Sequence, residues 1–199
     1  HERAKQDIAK IAPRATIRRE FDVVFNGLSL DASAQEIAQL SALPYVKNVY
    51  KDYRVAVSLN ESIPLINASD VWKLYDALGR NVTGNSTTIA IIDTGVDYTH
   101  PDLGGCFGTG CKVKSGYDFV TNDSDPLDDN GHGTHVASTA AGTGAASSGS
   151  LKGVAPDAKL HAYKVLDAGG YGYDSDVVAG IERAVVDGAA EARPATGNR

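Results

Sequence analysis

The stretch that decides the fold reads TIAIIDTGVDYTHPDLGG at residues 88–105 and DDNGHGTHVASTAAG at residues 128–142. Its opening apolar run stops at Asp93, where a Thr-Gly pair turns the chain, so this carboxylate lies at the end of a buried strand. The later turn, Asp-Asp-Asn-Gly, places His132 at the start of a helix of small residues. A strand-end aspartate and a helix-start histidine are two of the three groups of an acyl-transfer triad.

Strands and helices alternate from this stretch onward. The apolar runs predict strands at 88–92, 113–120 and 159–166, and the segments between them predict helices at 133–141 and 175–186. This order is typical of an α/β domain with a doubly wound, mostly parallel sheet. Ligands bind such sheets at the carboxyl ends of the strands, which is where Asp93 falls.

The two residues suit general-base chemistry. A serine hydroxyl is a weak nucleophile that needs a base within hydrogen-bond reach and an anion that orients the base. His132 suits the first role, because histidine titrates near neutral pH, and Asp93 suits the second. A competing hypothesis is a metal hydrolase built on His132, His135 and nearby aspartates. It needs further ligands at matching spacing, none is evident, and we therefore expect His135 to be structural.

The motifs DTGVDYTHPDL and NGHGTHVAS resemble, in this order, the first two active-site motifs of the subtilisin-like serine proteases, whose triad runs Asp, His, Ser. The segment GVAPDAKLHAYKVLDAGGYGYDSDVVAGIERAV is also similar to that family. The resemblance implies a serine endopeptidase with Asp93 and His132 in its triad. It also makes Gly170, Tyr171 and Gly172 the edge that pairs with an extended peptide or protein substrate.

The first sixty residues follow a different pattern. The sequence predicts the order α-β-α-β-β of a small α+β unit, with elements at 2–12, 15–25, 34–42, 46–50 and 54–59. The phrase FDVVFNGLSLDASAQEIAQLSALPYVKNVYKDYRVAV is similar to the propeptides of the same family. These are ferredoxin-like domains that act as folding chaperone and inhibitor. The resemblance implies that this unit docks on the catalytic domain and that the fold's first strand is missing here.

The expected fold class is therefore α/β, with a partial doubly wound, mostly parallel sheet preceded by a small α+β ferredoxin-like propeptide domain. We expect a propeptide or inhibitor-like domain at 1–60, a linker with a short helix (70–78) at 61–86, the N-terminal half of a subtilisin-like catalytic domain at 87–190 and an atypical tail at 191–199.

The family pattern continues with an apolar strand, an oxyanion-hole Asn and the Gly-Thr-Ser of the nucleophile, and none of these follows here. We therefore expect the chain to be inactive alone, with an open apolar edge along 88–92 and marginal stability. The alternative function is a non-catalytic one, either a propeptide-like inhibitor and chaperone or a pseudoprotease that binds without cleaving.

Composition argues against several classes of partner. The net charge of −6 argues against nucleic acid, and the sequence has no run of 18 apolar residues that would span a membrane. No signal peptide is visible. The chain begins with His1 and contains no Met, so we expect a leader upstream of it.

Two cysteines, Cys106 and Cys111, lie in the segment GGCFGTGC. The flanking glycines allow so short a loop to close into a disulfide, and two cysteines are too few for a zinc site. A disulfide indicates an oxidising compartment. Five Asn-x-Ser/Thr triplets point the same way, at Asn60, Asn67, Asn81, Asn85 and Asn122. We therefore expect a secreted, extracellular protein.

No cofactor is required by this chemistry. In related enzymes the aspartate of HPDL, here Asp102, helps to bind calcium. Its other ligands come from an Asn-bearing loop, and the corresponding segment 142–153 has no Asn, which argues against calcium. An acidic cluster precedes His132, and we expect it to be a solvated turn rather than a metal site. Its members are Asp123, Asp125, Asp128 and Asp129.

Overall fold

The computed structural model describes residues 1–56 and 66–188. The helices in these ranges are α1 (Glu2–Ile11), α2 (Ala34–Ser41), α3 (Ala68–Val71), α4 (His132–Ala141) and α5 (Asp174–Val186). The strands are β1 (Thr16–Phe21), β2 (Gly27–Asp31), β3 (Arg54–Ala56), β4 (Thr88–Asp93), β5 (Val113–Asp118), β6 (Lys159–Lys164) and β7 (Tyr171–Tyr173).

A three-stranded parallel sheet organises the larger unit. Its order is β4-β6-β5, and the ladder sets Asp93 beside Lys164 at the carboxyl end. Helix α4 packs on one face, where Ile91 and Leu160 are buried, and α5 packs on the other, through Tyr163. Helices on both faces require strands that are apolar on both sides. The arrangement is the partial doubly wound sheet that the sequence predicted.

The N-terminal unit is a small α+β layer. Strands β1 and β2 pair as an antiparallel hairpin, and α1 and α2 lie against it around Ile8, Ala12 and Leu40. Helix α2 begins with a capping box, in which Ser33 accepts the Glu36 backbone N–H and the Glu36 carboxylate accepts the Ser33 N–H. This reciprocal capping satisfies two of the free N–H groups at the helix start.

Two of the predicted strands differ from the structure. The strand expected at 15–25 ends at Phe21, because the backbone N–H groups of residues 23–25 donate to the Glu182 carboxylate of α5 instead of to a strand. The residues at 46–50 form no strand. Of the strand expected at 54–59, residues 54–56 are β3 and the others lie outside the described residues.

The helix expected at 70–78 is reduced to the single turn of α3. The chain then folds back on itself, because the Asp76 carboxylate accepts the backbone N–H groups of Leu78 and Arg80. Side-chain bonds of this kind compete with helical backbone bonds. In the described ranges no helix has the length and the apolar run needed to cross a bilayer.

Candidate active site

Asp93 and His132 meet at the carboxyl end of the parallel sheet. Strand β4 ends at Asp93, and α4 begins at His132, so the two elements bring together side chains 39 positions apart. The distance from His132 Nδ1 to Asp93 Oδ1 is 2.7 Å, and the two side chains are only 8% and 13% exposed. A hydrogen bond to a charged group at this depth is well shielded from water.

The hydrogen bond fixes the state of the imidazole. An ionised carboxylate only accepts hydrogen bonds, so this contact favours the imidazole tautomer with its proton on Nδ1, and Nε2 lies on the side of the ring away from Asp93. Asp93 Oδ1 also accepts the backbone N–H of Thr94 at 2.7 Å, which holds the carboxylate in place. The pair can therefore take a proton at Nε2 and stabilise the resulting imidazolium.

Thr94 and Asp128 connect the loop after β4 to the start of α4. Thr94 Oγ1 donates to Asp128 Oδ1 at 2.8 Å and accepts the Gly133 N–H at 2.9 Å. The other Asp128 oxygen accepts the backbone N–H and the hydroxyl of Thr134. Gly133 lies so close to this loop that a Cβ there would overlap the Gly95 carbonyl oxygen. Asp93 and His132 are therefore held in place by one connected set of hydrogen bonds, which forms a frame around them.

The expectation of a solvated acidic turn is wrong for Asp128. Burial by itself raises the pKa of Asp128, but hydrogen bonds from Thr134 and from the Asn130 and Gly131 backbone outweigh it, and the pKa lies below its ordinary value. Asp123 and Asp125 are exposed and fit the expectation. The prediction failed because the number of carboxylates in a sequence does not show which backbone N–H groups donate hydrogen bonds to each of them in the folded turn.

Lys164 is a site residue that sequence reasoning missed. It is 3% exposed, and its ammonium donates to the Thr94 carbonyl at 2.6 Å, the Leu166 carbonyl at 3.0 Å and Asp129 Oδ1 at 2.5 Å. These bonds use all three of its N–H groups. One side chain thus ties together the segments that carry Asp93 and His132. The available signal was a lysine followed directly by two apolar residues in the predicted strand 159–166.

The three residues predicted to bind substrate lie along β7. Gly170 precedes the strand with φ +75°, and Tyr171 and Gly172 belong to it. The strand is paired antiparallel with β3 of the N-terminal unit, with Tyr171 opposite Ala56 and Gly172 opposite Val55. The predicted substrate edge is thus occupied by an extended segment of the same chain.

Helix α5 provides further contacts between the two units. The backbone N–H of Ser175, at the helix start, donates to Asp52 Oδ1 at 2.9 Å. Asp176 is 5% exposed and pairs with Arg19 at 3.0 Å and Arg18 at 3.7 Å. Burial raises the pKa of Asp176, although both arginines act to lower it. Further along, Glu182 receives the three backbone N–H groups of the 23–25 loop.

The remaining candidates lie elsewhere. A disulfide joins Cys106 to Cys111, with their Cα atoms 5.6 Å apart. His135 is exposed. Among the described residues, no group of three or more His, Cys, Asp or Glu side chains is arranged to hold a metal ion. Asp102 Oδ1 accepts the Ala146 N–H at 2.7 Å, so its carboxylate already serves the loop backbone.

The fold and the Asp–His pair together define a doubly wound α/β domain that carries two of the three groups of an acyl-transfer triad. The family model described as "Subtilase family" matches residues 84–194, and the chain therefore belongs to the subtilase family. A second model, "Peptidase inhibitor I9", matches residues 1–58.

Several curated proteins are similar to this chain. The minor extracellular protease Vpr of Bacillus subtilis is 42% identical over 213 residues, which cover 94% of this chain and 25% of that protein. The serine protease AprX of the same organism is 37% identical, covering 72% of this chain and 30% of that protein. Thermitase of Thermoactinomyces vulgaris is 43% identical, covering 62% and 39%. The chain thus spans between 25% and 39% of the length of these relatives.

A solved structure is also similar. The crystal structure of a cold adapted subtilisin-like serine proteinase shares 35% sequence identity, covers 60% of this chain and 41% of that chain, and has a TM-score of 0.46.

Proposed function

We propose that this chain supplies the Asp–His part of a subtilase-type serine endopeptidase, which cleaves peptide bonds in extended protein substrates. The observation that carries the proposal is the 2.7 Å hydrogen bond between His132 Nδ1 and Asp93 Oδ1. It lies at the carboxyl end of β4, where ligands bind in doubly wound sheets. The serine proteases among the relatives give the reaction class.

The two residues have separate roles in the proposed reaction. His132 Nε2 takes the proton of a serine hydroxyl as that oxygen attacks the scissile carbonyl, and later gives the proton to the leaving amine. Asp93 keeps the imidazole in the required tautomer and stabilises its positive charge. The sequence carries no Gly-Thr-Ser segment. The 199 residues are therefore proposed to be inactive in peptide hydrolysis until a serine and an oxyanion donor complete the site.

The N-terminal unit is proposed to be an inhibitor that docks on its own catalytic domain. Strand addition uses backbone hydrogen bonds for affinity, and β3 makes such bonds along β7. A substrate peptide that needs the Tyr171 and Gly172 edge has to displace β3. The same unit is proposed to stabilise the larger unit before release, since it covers the start of α5 through Asp52.

A second candidate is a binding module without catalysis. The β3–β7 pairing supports it, because an extended segment pairs with this edge through backbone hydrogen bonds alone. It predicts peptide binding with no turnover in every completed form of the protein. The two candidates therefore differ in one measurable quantity, which is hydrolysis.

Location and cofactors follow from the same proposal. The disulfide and a relative named as an extracellular protease support a secreted protein. In the proposed mechanism His132 transfers the proton and Asp93 orients and stabilises the imidazole, so the mechanism needs neither a metal ion nor a nucleic-acid partner.

A chimera tests the endopeptidase proposal. Residues 1–188 are joined to the remaining catalytic part of Vpr, and hydrolysis of an extended peptide is measured together with labelling by a fluorophosphonate serine probe. We expect turnover, and we expect His132→Ala to abolish it, since loss of the triad histidine lowers kcat of subtilisin by about 10⁶-fold. A folded chimera that binds the peptide and hydrolyses none of it would support the binding module instead.

A further inference from the structure

The Asn-x-Ser/Thr triplets of this chain have no role in the proposed peptidase chemistry. Five of the nine asparagines stand two residues ahead of a serine or threonine. With 26 serines and threonines among 199 residues, chance places about one there. We propose that Asn67 and Asn85 are acceptors for N-linked oligosaccharides, and that Asn81 and Asn122 are not.

Asn85 lies on an exposed turn that leads into β4. The turn runs from Gly84 to Thr87 and is closed by a hydrogen bond from the Thr87 N–H to the Gly84 carbonyl at 3.0 Å. Within the described residues, the Asn85 side chain makes no hydrogen bond, and its amide is open to solvent. A bulky, hydrated group at this position displaces no packed atom.

Asn67 is exposed in the same way, just ahead of α3. Its backbone is left-handed, with φ +51°, and its side chain makes no capping bond to the helix. Ser69, which completes the triplet, is also exposed. Within the part of the chain that the structure describes, the Asn67 amide is therefore not committed to local structure, in contrast to the usual role of an asparagine before a helix.

The other two described triplets are committed to the fold. Asn81 Nδ2, the nitrogen that would carry the sugar, donates to the Trp72 carbonyl at 2.7 Å. Asn122 Oδ1 accepts from Arg19 Nη1 of the N-terminal unit at 3.1 Å. Asn122 also lines a cavity of about 330 Å³ between the two units, beside Tyr171. An oligosaccharide at Asn122 would occupy space at this contact. Asn60 lies outside the described residues.

The modification is a group transfer from a lipid-linked oligosaccharide. The side-chain amide nitrogen forms a bond to C1 of the first sugar and loses one proton, and the phosphate of the polyprenol carrier leaves with the bonding electrons. The enzyme that catalyses this transfer and its lipid-linked donor lie in the membrane of the secretory pathway. Modification at the triplet therefore requires that the chain enters that pathway.

The test uses the whole chain, secreted from a eukaryotic host. The purified protein is treated with a peptide amidase that removes N-glycans in ¹⁸O-labelled water, which converts each occupied asparagine to a labelled aspartate, and the peptides are read by mass spectrometry. We expect label at Asn67 and Asn85 and none at Asn81 or Asn122. Each of Asn67→Gln and Asn85→Gln should reduce the intact mass by one glycan.

Matched variants separate loss of the glycan from misfolding. Thr87→Ala removes the Asn85 triplet while it leaves the asparagine in place, and it should cause the same loss of mass as Asn85→Gln. Asn81→Gln should leave the mass of the glycans unchanged. Secreted protein without label at Asn67 and Asn85 overturns the proposal. Label at Asn81 or Asn122 equally overturns it, because the acceptors would then not be selected by the contacts described here.

Discussion

Lys164 and Thr94 are joined by a buried hydrogen bond, in which the lysine ammonium donates to the threonine carbonyl over 2.6 Å. The bond links the end of β6 to the turn that follows Asp93. The same ammonium reaches Asp129, three residues before His132. A buried charge is tolerated only when its hydrogen bonds are satisfied, and here they are satisfied by the two segments that make the Asp–His pair.

Lys164→Met should destabilise the fold. The substitution leaves the Thr94 and Leu166 carbonyls without their donor, and each buried group left unpaired costs about 1–3 kcal/mol. Urea unfolding followed by circular dichroism measures the loss. Lys159→Met is the control, because Lys159 lies at the exposed end of the same strand and, among the described residues, donates only to the Cys111 carbonyl. If the two variants have the same urea midpoint, the buried hydrogen bonds of Lys164 do not stabilise the fold and this prediction is wrong.

Gly133→Ala should separate Asp93 from His132. A Cβ at position 133 would overlap the Gly95 carbonyl oxygen and come within 3.2 Å of the Asp93 Cβ, so the start of α4 has to shift. Overpacking of this kind costs about 1–3 kcal/mol. The measurement is the NMR signal of the His132 Nδ1 proton, which we expect to be lost or shifted.

The matched control for this variant is Ser138→Ala, which changes the same helix without adding an atom. Its Nδ1 proton signal should remain as in the parent chain. A Gly133→Ala protein whose signal is unchanged would show that the helix start can move without breaking the pair.

The sequence predicted the parts of this site that depend on short-range pattern. An apolar run that ends on Asp93, and a turn followed by His132, locate both residues at element ends, and the sheet topology then brings them together. The family and the fold class followed from the same two motifs. Such predictions succeed because strand ends and helix starts are determined by neighbouring residues.

The parts that failed depend on contacts between distant segments. Val23, Val24 and Phe25 have the composition of a core strand, yet they are 46–49% exposed, because Glu182 captures their N–H groups. The same reason applies to Lys164, because two of its acceptors, Thr94 and Asp129, lie 70 and 35 positions away in the sequence. The residues that flank a position in the sequence do not show which distant residue it will contact in the fold.

Acid should weaken the frame around His132 through Asp128. The pKa of Asp128 is lowered in the folded chain, so its ionised form stabilises the fold. This stabilisation is fully present above the ordinary pKa of 3.8 and is lost as the pH falls through the lowered value. The unfolding free energy of the parent chain, measured from pH 7 down to pH 2, should therefore fall more steeply at the acid end than that of Asp128→Asn. Asp31→Asn, at an exposed site, should follow the parent chain.

Glu182→Ala should loosen the N-terminal unit from α5. One carboxylate oxygen accepts the backbone N–H groups of residues 23, 24 and 25 at 3.1, 3.2 and 3.4 Å, and the side chain of Glu182 is 8% exposed. Without it these amides have no acceptor, since the loop makes no strand there. Hydrogen–deuterium exchange should then become faster at residues 23–25, while exchange in β4 and β6 stays as in the parent chain.

Glu182→Gln and Glu2→Ala complete this test. The glutamine keeps an oxygen at the same place but loses the charge, and hydrogen bonds to charged acceptors are roughly twice as strong as neutral ones, so its exchange rates should fall between those of the parent and the alanine variant. Glu2 lies in the exposed first turn of α1, and its removal should leave the 23–25 amides unchanged. Unaltered exchange in Glu182→Ala would mean that the Arg19–Asp176 pair and the β3–β7 ladder are enough to hold the loop against α5.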